Sequence, residues 1–220
     1  LDGSSGDDTL IGGAGNDTLI GGSGNDTAQF SSNIYNYTIW KGTNLTISDK
    51  TSNRYGDDQL SSIETVSFNG TSIDVSNIRT GIYIDSNGYQ LIGDSSSITL
   101  RSHSNADGFN DDSSSSSNVV AAKNNSSSFQ VLFDGTGSLD GYNAIWTTDS
   151  SGIRTSSTTW MTDAQTTAHA NGYENIFSKD FNNDGLISGG QYYQLLGDNG
   201  PVTLRSHSNA DGFNDDSSSS

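Results

Sequence analysis

Three nine-residue segments open the chain: Gly3-Ser-Ser-Gly-Asp-Asp-Thr-Leu-Ile11, Gly12-Gly-Ala-Gly-Asn-Asp-Thr-Leu-Ile20 and Gly21-Gly-Ser-Gly-Asn-Asp-Thr-Ala-Gln29. A repeat of fixed length predicts a stack of similar turns, with equivalent residues one above another. The stack has a column of aspartates (Asp8, Asp17, Asp26), one of glycines (Gly6, Gly15, Gly24) and one of apolar residues (Leu10, Leu19, Ala28). The alternative is a flexible Gly/Ser/Asp linker. A linker has no reason to keep three columns in register.

The aspartate column predicts a site for a hard cation. Calcium takes six to eight oxygen ligands, and one aspartate supplies at most two, so a short loop must also turn backbone carbonyls toward the ion. Glycine permits such a turn because it adopts positive φ at little steric cost. Each aspartate is followed by a strand-like segment in which the leucine is the inward apolar side chain.

The nine-residue unit resembles the RTX nonapeptide Gly-Gly-x-Gly-x-Asp-x-U-x of type I secreted proteins, over residues 3–29. In that family two nonapeptides form one turn of a parallel β-roll, and calcium lies between loops two repeats apart. The resemblance therefore implies that the first and third loops share an ion. The implied ligands are the carboxylates of Asp8 and Asp26 and main-chain oxygens of Gly3, Ser5, Gly21 and Ser23. Gly12, Ala14, Asn16 and Asp17 are the equivalent ligands of the second loop, for which we expect no partner loop in this chain.

The repeat departs from the family pattern at its two ends. Ser4 stands where the pattern has glycine, and Ala28 and Gln29 weaken the third strand. We therefore expect the roll to end at the third repeat.

Composition favours cations as partners. The formal charge is −17 with a pI near 4.1, which disfavours nucleic acid and anionic membrane surfaces because both require clustered Lys and Arg. Leu, Ile, Val and Phe make up roughly a fifth of the residues, so a large apolar core is not expected. Because carboxylates repel one another, ions that bind only the folded form would stabilise it. We therefore expect calcium binding and folding to be coupled.

Cysteine usage fits export of the protein without oxidative folding. Cysteine is absent, which excludes disulfides and thiolate metal sites. No apolar run approaches the ~18 residues that a membrane span requires, and no signal sequence opens the chain. Leu1 lies inside the repeat array, so we expect the chain to be a piece of a longer protein, secreted or displayed on the cell surface.

Short alternating strands follow between Phe30 and Val75, and Asn69-Gly70 predicts a hairpin. Among them Gly56-Asp-Asp-Gln-Leu60 copies Gly6-Asp-Asp-Thr-Leu10 except at one position, and Ile63-Glu64 follows. This stretch resembles the strand-rich segment that closes RTX arrays. Either Asp57 or Asp58 completes a terminal calcium site, or the stretch is a charged β-turn. No second carboxylate or histidine at a suggestive spacing favours Glu64 as an acid/base catalyst.

A longer repeat begins after residue 75, with an offset of 104 residues. Residues 99–116 are identical to residues 203–220, and Tyr89-Gln-Leu-Ile-Gly-Asp94 matches Tyr193-Gln-Leu-Leu-Gly-Asp198. Tandem duplication explains this identity. We expect three parts: residues 1–75, residues 76–188 as one full unit, and residues 189–220 as the start of a second, truncated unit.

Within the full unit, Thr158–Lys179 has helical spacing, with Asp163 as the expected N-cap and Asn171-Gly172 as a point where the helix kinks or splits. Asp180-Phe-Asn-Asn-Asp-Gly-Leu-Ile187 then fits the opening of an EF-hand loop. The predicted ligands are Asp180, Asn182, Asp184 and the carbonyl of Leu186. Gln191 stands at the twelfth position, where a bidentate glutamate belongs, so the affinity should suffer.

The order of motifs from residue 80 to 220, including Tyr142-Asn-Ala-Ile-Trp146, Trp160 and the EF-hand-like loop, resembles a tryptophan-containing repeat of large secreted calcium-binding bacterial proteins.

The predicted fold is mainly β: a short parallel β-roll with a strand-rich closing segment, then a small β-rich module with one or two helices. The predicted function is non-catalytic calcium-dependent folding, with Ca²⁺ as ligand. The alternative is a carbohydrate-binding module for extracellular polysaccharide, in which Trp146, Trp160 and Tyr142 stack on sugars. An enzyme remnant would need catalytic residues outside this chain.

Overall fold

The computed structural model describes residues 1–51, 56–103, 107–109, 116–183, 185–187, 194–197 and 200–203. The strands of the first part are β1 Thr9–Leu10, β2 Thr18–Ile20, β3 Thr27–Phe30, β4 Tyr37–Lys41, β5 Leu45–Asp49, β6 Asp57–Ser61, β7 Thr65–Phe68 and β8 Thr71–Asp74. Those that follow are β9 Ile78–Arg79, β10 Ile82–Asp85, β11 Gly88–Ile92, β12 Ser97–Thr99, β13 Ser117–Asn124, β14 Ser128–Gly135, β15 Tyr142–Asp149, β16 Arg154–Ser157, β17 Met161–Thr162, β18 Leu186–Ile187, β19 Gln194–Gly197 and β20 Gly200–Thr203. Two short α-helices, α1 Asp163–Thr167 and α2 Tyr173–Phe177, lie between β17 and β18, and there are 3-10 helical turns at Ile34–Asn36, Val75–Asn77 and Gly137–Leu139. The prediction of a mainly β chain is confirmed.

The nonapeptides form a parallel β-roll, in which the chain alternates between two sheets. One sheet has the order β1-β3-β7-β8, with β1, β3 and β7 parallel. The other has the order β2-β6-β5-β4, with β2 and β6 parallel. Each turn of the roll thus contributes one strand to each sheet, and the loops between strands stack at the two edges.

The roll continues beyond the third repeat, so the expected end at Gln29 is wrong. β3 pairs along its whole length with β7, and Ala28 and Val66 are both fully buried between the sheets. The small side chain of Ala28 does not end the stack, because Val66 lies opposite it in the next turn. Residues between β3 and β6 include the antiparallel hairpin β4–β5, which extends the second sheet and returns the chain to the roll at β6.

The core of the roll follows the apolar column. Leu10, Leu19 and Ala28 are buried, and a fully buried leucine contributes about 1.5–3 kcal/mol. The aromatic rings of Phe30 and Phe68 belong to the same cluster and stack with their centroids 5.5 Å apart. The predicted Asn69-Gly70 hairpin is confirmed between β7 and β8, and both residues have positive φ, 50° and 84°, as a type I′ turn requires.

The second part contains the antiparallel sheets β12-β11-β10-β9 and β13-β14-β15-β16 and the shorter antiparallel sheet β18-β19-β20. Side chains alternate along β14: Phe133 belongs to a cluster with Tyr89 and Leu91, and Leu132 belongs to a cluster with Phe177 on the opposite face. The central strands of this sheet are therefore covered on both faces, by the smaller sheet and by the helices.

The helical region is split, as Asn171-Gly172 predicted: α1 ends at Thr167, and α2 begins after Gly172, which has a φ of 66°. The expected N-cap is wrong by one residue. Thr162 caps α1 and forms a capping box with Gln165. Asp163 is the first helical residue, and its carboxylate accepts a hydrogen bond from the Asn143 side chain at 2.6 Å.

The duplication is visible in strand register. Leu91 pairs with Ile98 in the first copy, and Leu195 pairs with Val202 in the second. Ile82 pairs with Leu91 as Leu186 pairs with Leu195, again 104 residues later. The same hairpin therefore forms twice. The boundaries after residues 75 and 188 stay predictions.

Candidate metal centre

Carboxylates stack at one edge of the roll, where loops 3–8, 21–26 and 62–64 lie in order. The backbone N–H of Asp8 donates to Asp26 Oδ1 at 2.9 Å, and the N–H of Asp26 donates to Glu64 Oε2 at 2.8 Å. Each carboxylate thus binds the amide of the carboxylate residue one turn earlier. We call Asp8, Asp26 and Glu64 the first column.

The second oxygen of each aspartate in this column is buried without a partner. Asp8 Oδ2 and Asp26 Oδ2 are inaccessible to solvent and accept no hydrogen bond, and Asp26 is 0% exposed. A buried carboxylate oxygen is costly unless a donor or a cation offsets its lost hydration. These two atoms are therefore positions where a bound cation would stabilise the fold.

A backbone carbonyl oxygen and the unpartnered Asp8 Oδ2 both lie close to Gly3. A Cβ on Gly3 would lie 2.7 Å from the carbonyl oxygen of Gly21 and 2.8 Å from Asp8 Oδ2. Both oxygens therefore converge above the Cα of Gly3, and any larger residue would fill the space. Ser5 and Ser23 form an isolated parallel bridge nearby. The structure thus brings together all six residues predicted for the first and third loops.

The opposite edge carries a shorter column. The N–H of Asp17 donates to Asp58 Oδ1 at 2.9 Å, and Asp17 Oδ2 is buried without a partner. We call Asp17 and Asp58 the second column. The expectation that Asp17 has no partner loop is wrong, because β2 and β6 pair in parallel and set residues 56–58 beside residues 15–17. The charged β-turn is also excluded for Asp57 and Asp58, which begin β6.

The Asp58 side chain is more deeply buried than an ordinary aspartate side chain. It is 2% exposed. Burial raises the pKa of Asp58 to about 6, the amide of Asp17 opposes the rise, and the charges of Asp17 and Asp57 add to it. A proton therefore competes with a cation for this carboxylate.

The remaining predicted residues of the second loop lie in different positions. Gly12 is next to Asp17 Oδ2, since a Cβ there would be 2.8 Å from that atom. Asn16 Oδ1 accepts the N–H of Asp57 at 3.0 Å. Ala14 is exposed.

Residues 1–28 match the family model of the RTX calcium-binding nonapeptide repeat (4 copies). RTX repeats bind Ca²⁺, and their presence implies a calcium-binding structural region of a secreted bacterial protein. No curated protein and no solved structure matches the chain. In the described part of the chain, no helix is both long and apolar enough to cross a membrane.

An ion in the RTX loops would be bound by few charged side chains. Among the described residues, no group of three or more His, Cys, Asp or Glu converges on one point. Two carboxylates and several backbone carbonyls are a donor set of oxygens alone, which suits Ca²⁺ rather than zinc or iron. These oxygen donors therefore fit Ca²⁺, the ion that RTX repeats bind.

The EF-hand-like loop is described in part. Asp180 Oδ2 accepts the N–H of Gly185 at 2.8 Å, and Leu186 begins β18. Asn182 lies between them in a bend, and Asp184 lies outside the described residues. Buried Glu174 fixes the start of the loop, because its Oε1 accepts the N–H of Phe181 at 3.0 Å. Calcium binding by this loop stays a prediction.

The aromatic residues proposed to stack on sugars have other contacts. Trp146 lies 4.4 Å from Phe133 between ring centroids, and the guanidinium of Arg154 lies 4.7 Å above the Trp146 ring. Trp160 packs against the same cluster, and Tyr142 is 39% exposed. Polysaccharide binding stays a prediction.

Sequence reasoning missed Ser62 and Glu64 as members of the stacked edge. The one available signal was the Ile63-Glu64 pair after Leu60. It could not be placed, because the loop between β6 and β7 is three residues long and breaks the nine-residue period.

Proposed function

We propose that this chain is a non-catalytic, calcium-dependent folding region of a secreted or surface-displayed bacterial protein. The observation that supports it best is the set of buried, unpartnered carboxylate oxygens on Asp8 and Asp17. Each lies next to the first glycine of its own loop, which carries no side chain.

The proposed ions lie between stacked loops. On the first column, one ion is bound by the carboxylates of Asp8 and Asp26 and by main-chain oxygens of Gly3, Ser5, Gly21 and Ser23. On the second column, one ion is bound by Asp17 and Asp58, with Gly12, Ala14 and Asn16 as further donors. A separate site of EF-hand type uses Asp180, Asn182, Asp184 and Leu186, in the unit that spans residues 76–188.

Charge supports coupling between binding and folding. The chain carries a formal charge of −17, and stacking places carboxylates directly above one another. Without a cation, their repulsion and desolvation oppose the closed roll. With calcium at extracellular, millimolar concentration, sites with dissociation constants of ~0.1–1 mM are occupied and stabilise the fold by mass action.

The test is far-UV circular dichroism during a calcium titration. We expect strand content to rise between excess chelator and ~10 mM calcium, a range that extends past the affinities of extracellular modules. The Asp8→Asn variant should need more calcium than the wild type. Asp140→Asn is the matched control, because it removes one charge from an exposed carboxylate of the other module. Strand content that is the same in chelator and in calcium would falsify the proposal.

A further inference from the structure

The first column ends on a residue outside the nonapeptide repeats. Glu64 Oε2 accepts the N–H of Asp26 at 2.8 Å, just as Asp26 Oδ1 accepts the N–H of Asp8 at 2.9 Å. Glu64 therefore occupies in the third turn the place that Asp26 occupies in the second.

The backbone around Asp26 repeats the contacts around Asp8. Gly3 donates its N–H to Ile20 O at 2.9 Å, and Gly21 donates to Ser61 O at 3.1 Å. The N–H of Thr27 binds Asp8 O at 2.8 Å, and the N–H of Thr65 binds Asp26 O at 3.0 Å. Residues 61–65 thus form a third layer of the same stack, although their sequence is not a nonapeptide.

An oxygen pocket of the same composition lies in both layers. A Cβ on Gly21 would lie 1.9 Å from the carbonyl oxygen of Ser62 and 2.6 Å from Asp26 Oδ2. Ser62 adopts a φ of 49°, a left-handed conformation that few residues other than glycine adopt. The Ser62 carbonyl oxygen therefore lies above Gly21 as the Gly21 carbonyl oxygen lies above Gly3, although it is closer to the added Cβ, at 1.9 Å rather than 2.7 Å.

The carboxylate that faces this pocket lacks a partner. Asp26 is 0% exposed, and its Oδ2 is buried without a hydrogen bond. Oδ1 of the same carboxylate already accepts the N–H of Asp8. A cation between Asp26 and Glu64 would supply what Oδ2 lacks.

We propose that the first column binds a second calcium ion, between Asp26 and Glu64, with Asp26 Oδ2, the Ser62 carbonyl and the Glu64 carboxylate as ligands. This inference rests on the proposed function, since it extends the same column by one position. Loop 62–64 is shorter than loop 21–26, and the additional methylene of glutamate compensates for the shorter reach of its backbone. Because Glu64 is exposed, water completes the coordination on that side.

The experiment counts bound ions by native mass spectrometry at saturating calcium, with a chelator-dye competition titration of the same samples. Glu64→Gln keeps an acceptor for the Asp26 N–H and removes the charge, and we expect it to lose one ion relative to the wild type. Asp8→Asn should also lose one ion. Asp26→Asn should lose two, because Asp26 contributes to both positions. Asp140→Asn, the control, should lose none.

The outcomes separate this inference from the proposed function. If Glu64→Gln retains every ion and Asp26→Asn loses only one, the second ion does not exist, and the site between Asp8 and Asp26 stands. If none of the three variants changes the count, the proposed function itself fails. Should Glu64→Gln not fold, as judged by circular dichroism in calcium, the comparison of Asp26→Asn with Asp8→Asn decides: equal losses overturn the inference.

Discussion

The two edges of the roll are built from the same nine-residue repeat, but they differ in the loop that stacks on that repeat. On the first column, loop 3–8 faces another complete nonapeptide loop, and the Gly21 carbonyl reaches the space above Gly3. On the second column, the three atoms nearest to a Cβ on Gly12 all belong to Asp17, among the described residues. The space above Gly3 thus combines a carboxylate with a carbonyl, whereas the atoms nearest to a Cβ on Gly12 belong to one carboxylate side chain. A nonapeptide forms half of a site, and its partner loop determines the other half.

The two columns also differ in their third turn. The first column continues to Glu64 through a short loop that keeps the stack in register. On the second column, the chain forms the β4–β5 hairpin before it returns to the roll. Only residues 56–58, at the end of this inserted segment, then lie beside loop 12–17. We therefore expect the first column to bind calcium more tightly than the second.

Asp26→Asn should have the largest effect, because it removes a ligand of two proposed ions. At a calcium concentration 100 times the dissociation constant, each ion contributes about 2.7 kcal/mol of stability, so the loss should be about 5 kcal/mol. Asp17→Asn, on the second column, should lose about half as much. Urea unfolding of both variants in calcium and in chelator measures this difference. Equal losses would mean that the columns are equivalent.

Gly21→Ala should have the next largest effect. The added Cβ would lie 1.9 Å from the Ser62 carbonyl and 2.6 Å from Asp26 Oδ2, and overpacking of this kind costs about 1–3 kcal/mol. Gly12→Ala is the matched variant on the second column, where the atom nearest to the new methyl is Asp17 Oδ2 at 2.8 Å. Thermal unfolding in calcium should rank Gly21→Ala below Gly12→Ala. The reverse order would contradict the closer approach of backbone oxygens on the first column.

Acidification should weaken the second column through Asp58. The pKa of Asp58 is raised from 3.8 to about 6, so the metal-free folded chain binds more protons than the unfolded chain in that window. The contribution of Asp58 to the stability of the metal-free chain is therefore greatest at low pH, and it falls as the pH rises through about 6. Calcium binding reverses the preference, because the proton must leave first. We expect roughly a tenfold loss of affinity per pH unit below about 6.

Calcium titrations of the wild type and of Asp58→Asn, between about pH 5 and about pH 7, test this expectation. The free energy of unfolding of the metal-free wild type should decline between pH 3.8 and about 6, and that of metal-free Asp58→Asn should not. A pH dependence that persists in the variant would assign the proton to another group.

Asp180→Asn should have the smallest effect on the roll. It changes a loop in the second part of the chain, whose side chains belong to a different apolar cluster from the roll. Effects at separate sites add to within about 0.3–0.5 kcal/mol, so the Asp8→Asn and Asp180→Asn losses should be independent. A double-mutant cycle in calcium measures the coupling. A larger coupling would join the two parts into one folding unit.

The regularity of the nine-residue repeat determined which contacts of the roll could be predicted from the sequence. The pairing of Asp8 with Asp26 was implied by the resemblance to the RTX nonapeptide, in which loops two repeats apart share an ion, and the structure has the N–H of Asp8 donating to Asp26 Oδ1. The partner of Asp17 was not predicted, because Asp58 lies 41 residues away, beyond the inserted β4–β5 hairpin. The likeness of residues 56–60 to residues 6–10 was visible in the sequence. That likeness suggested a closing segment with a terminal calcium site, but it did not show that this segment lies beside the second loop.

Local chemistry limited the other predictions. The Asn69-Gly70 turn was predictable because its geometry demands residues that tolerate positive φ. The helix cap was misplaced because Asp163 and Thr162 are both good caps, and only the pairing of Thr162 with Gln165 decides between them. Ser62 and Glu64 were missed because they replace a six-residue loop by a three-residue one.

Loop 21–26 faces a proposed ion on each side, so its conformational entropy needs to be lost only once for both. The first ion to bind orders Asp26, and the second then meets a loop that is already ordered. Loading of this edge should therefore be cooperative, with a Hill coefficient above one. The chain would then respond to calcium as a threshold, remaining open at cytosolic concentrations and closing abruptly where the ion is abundant.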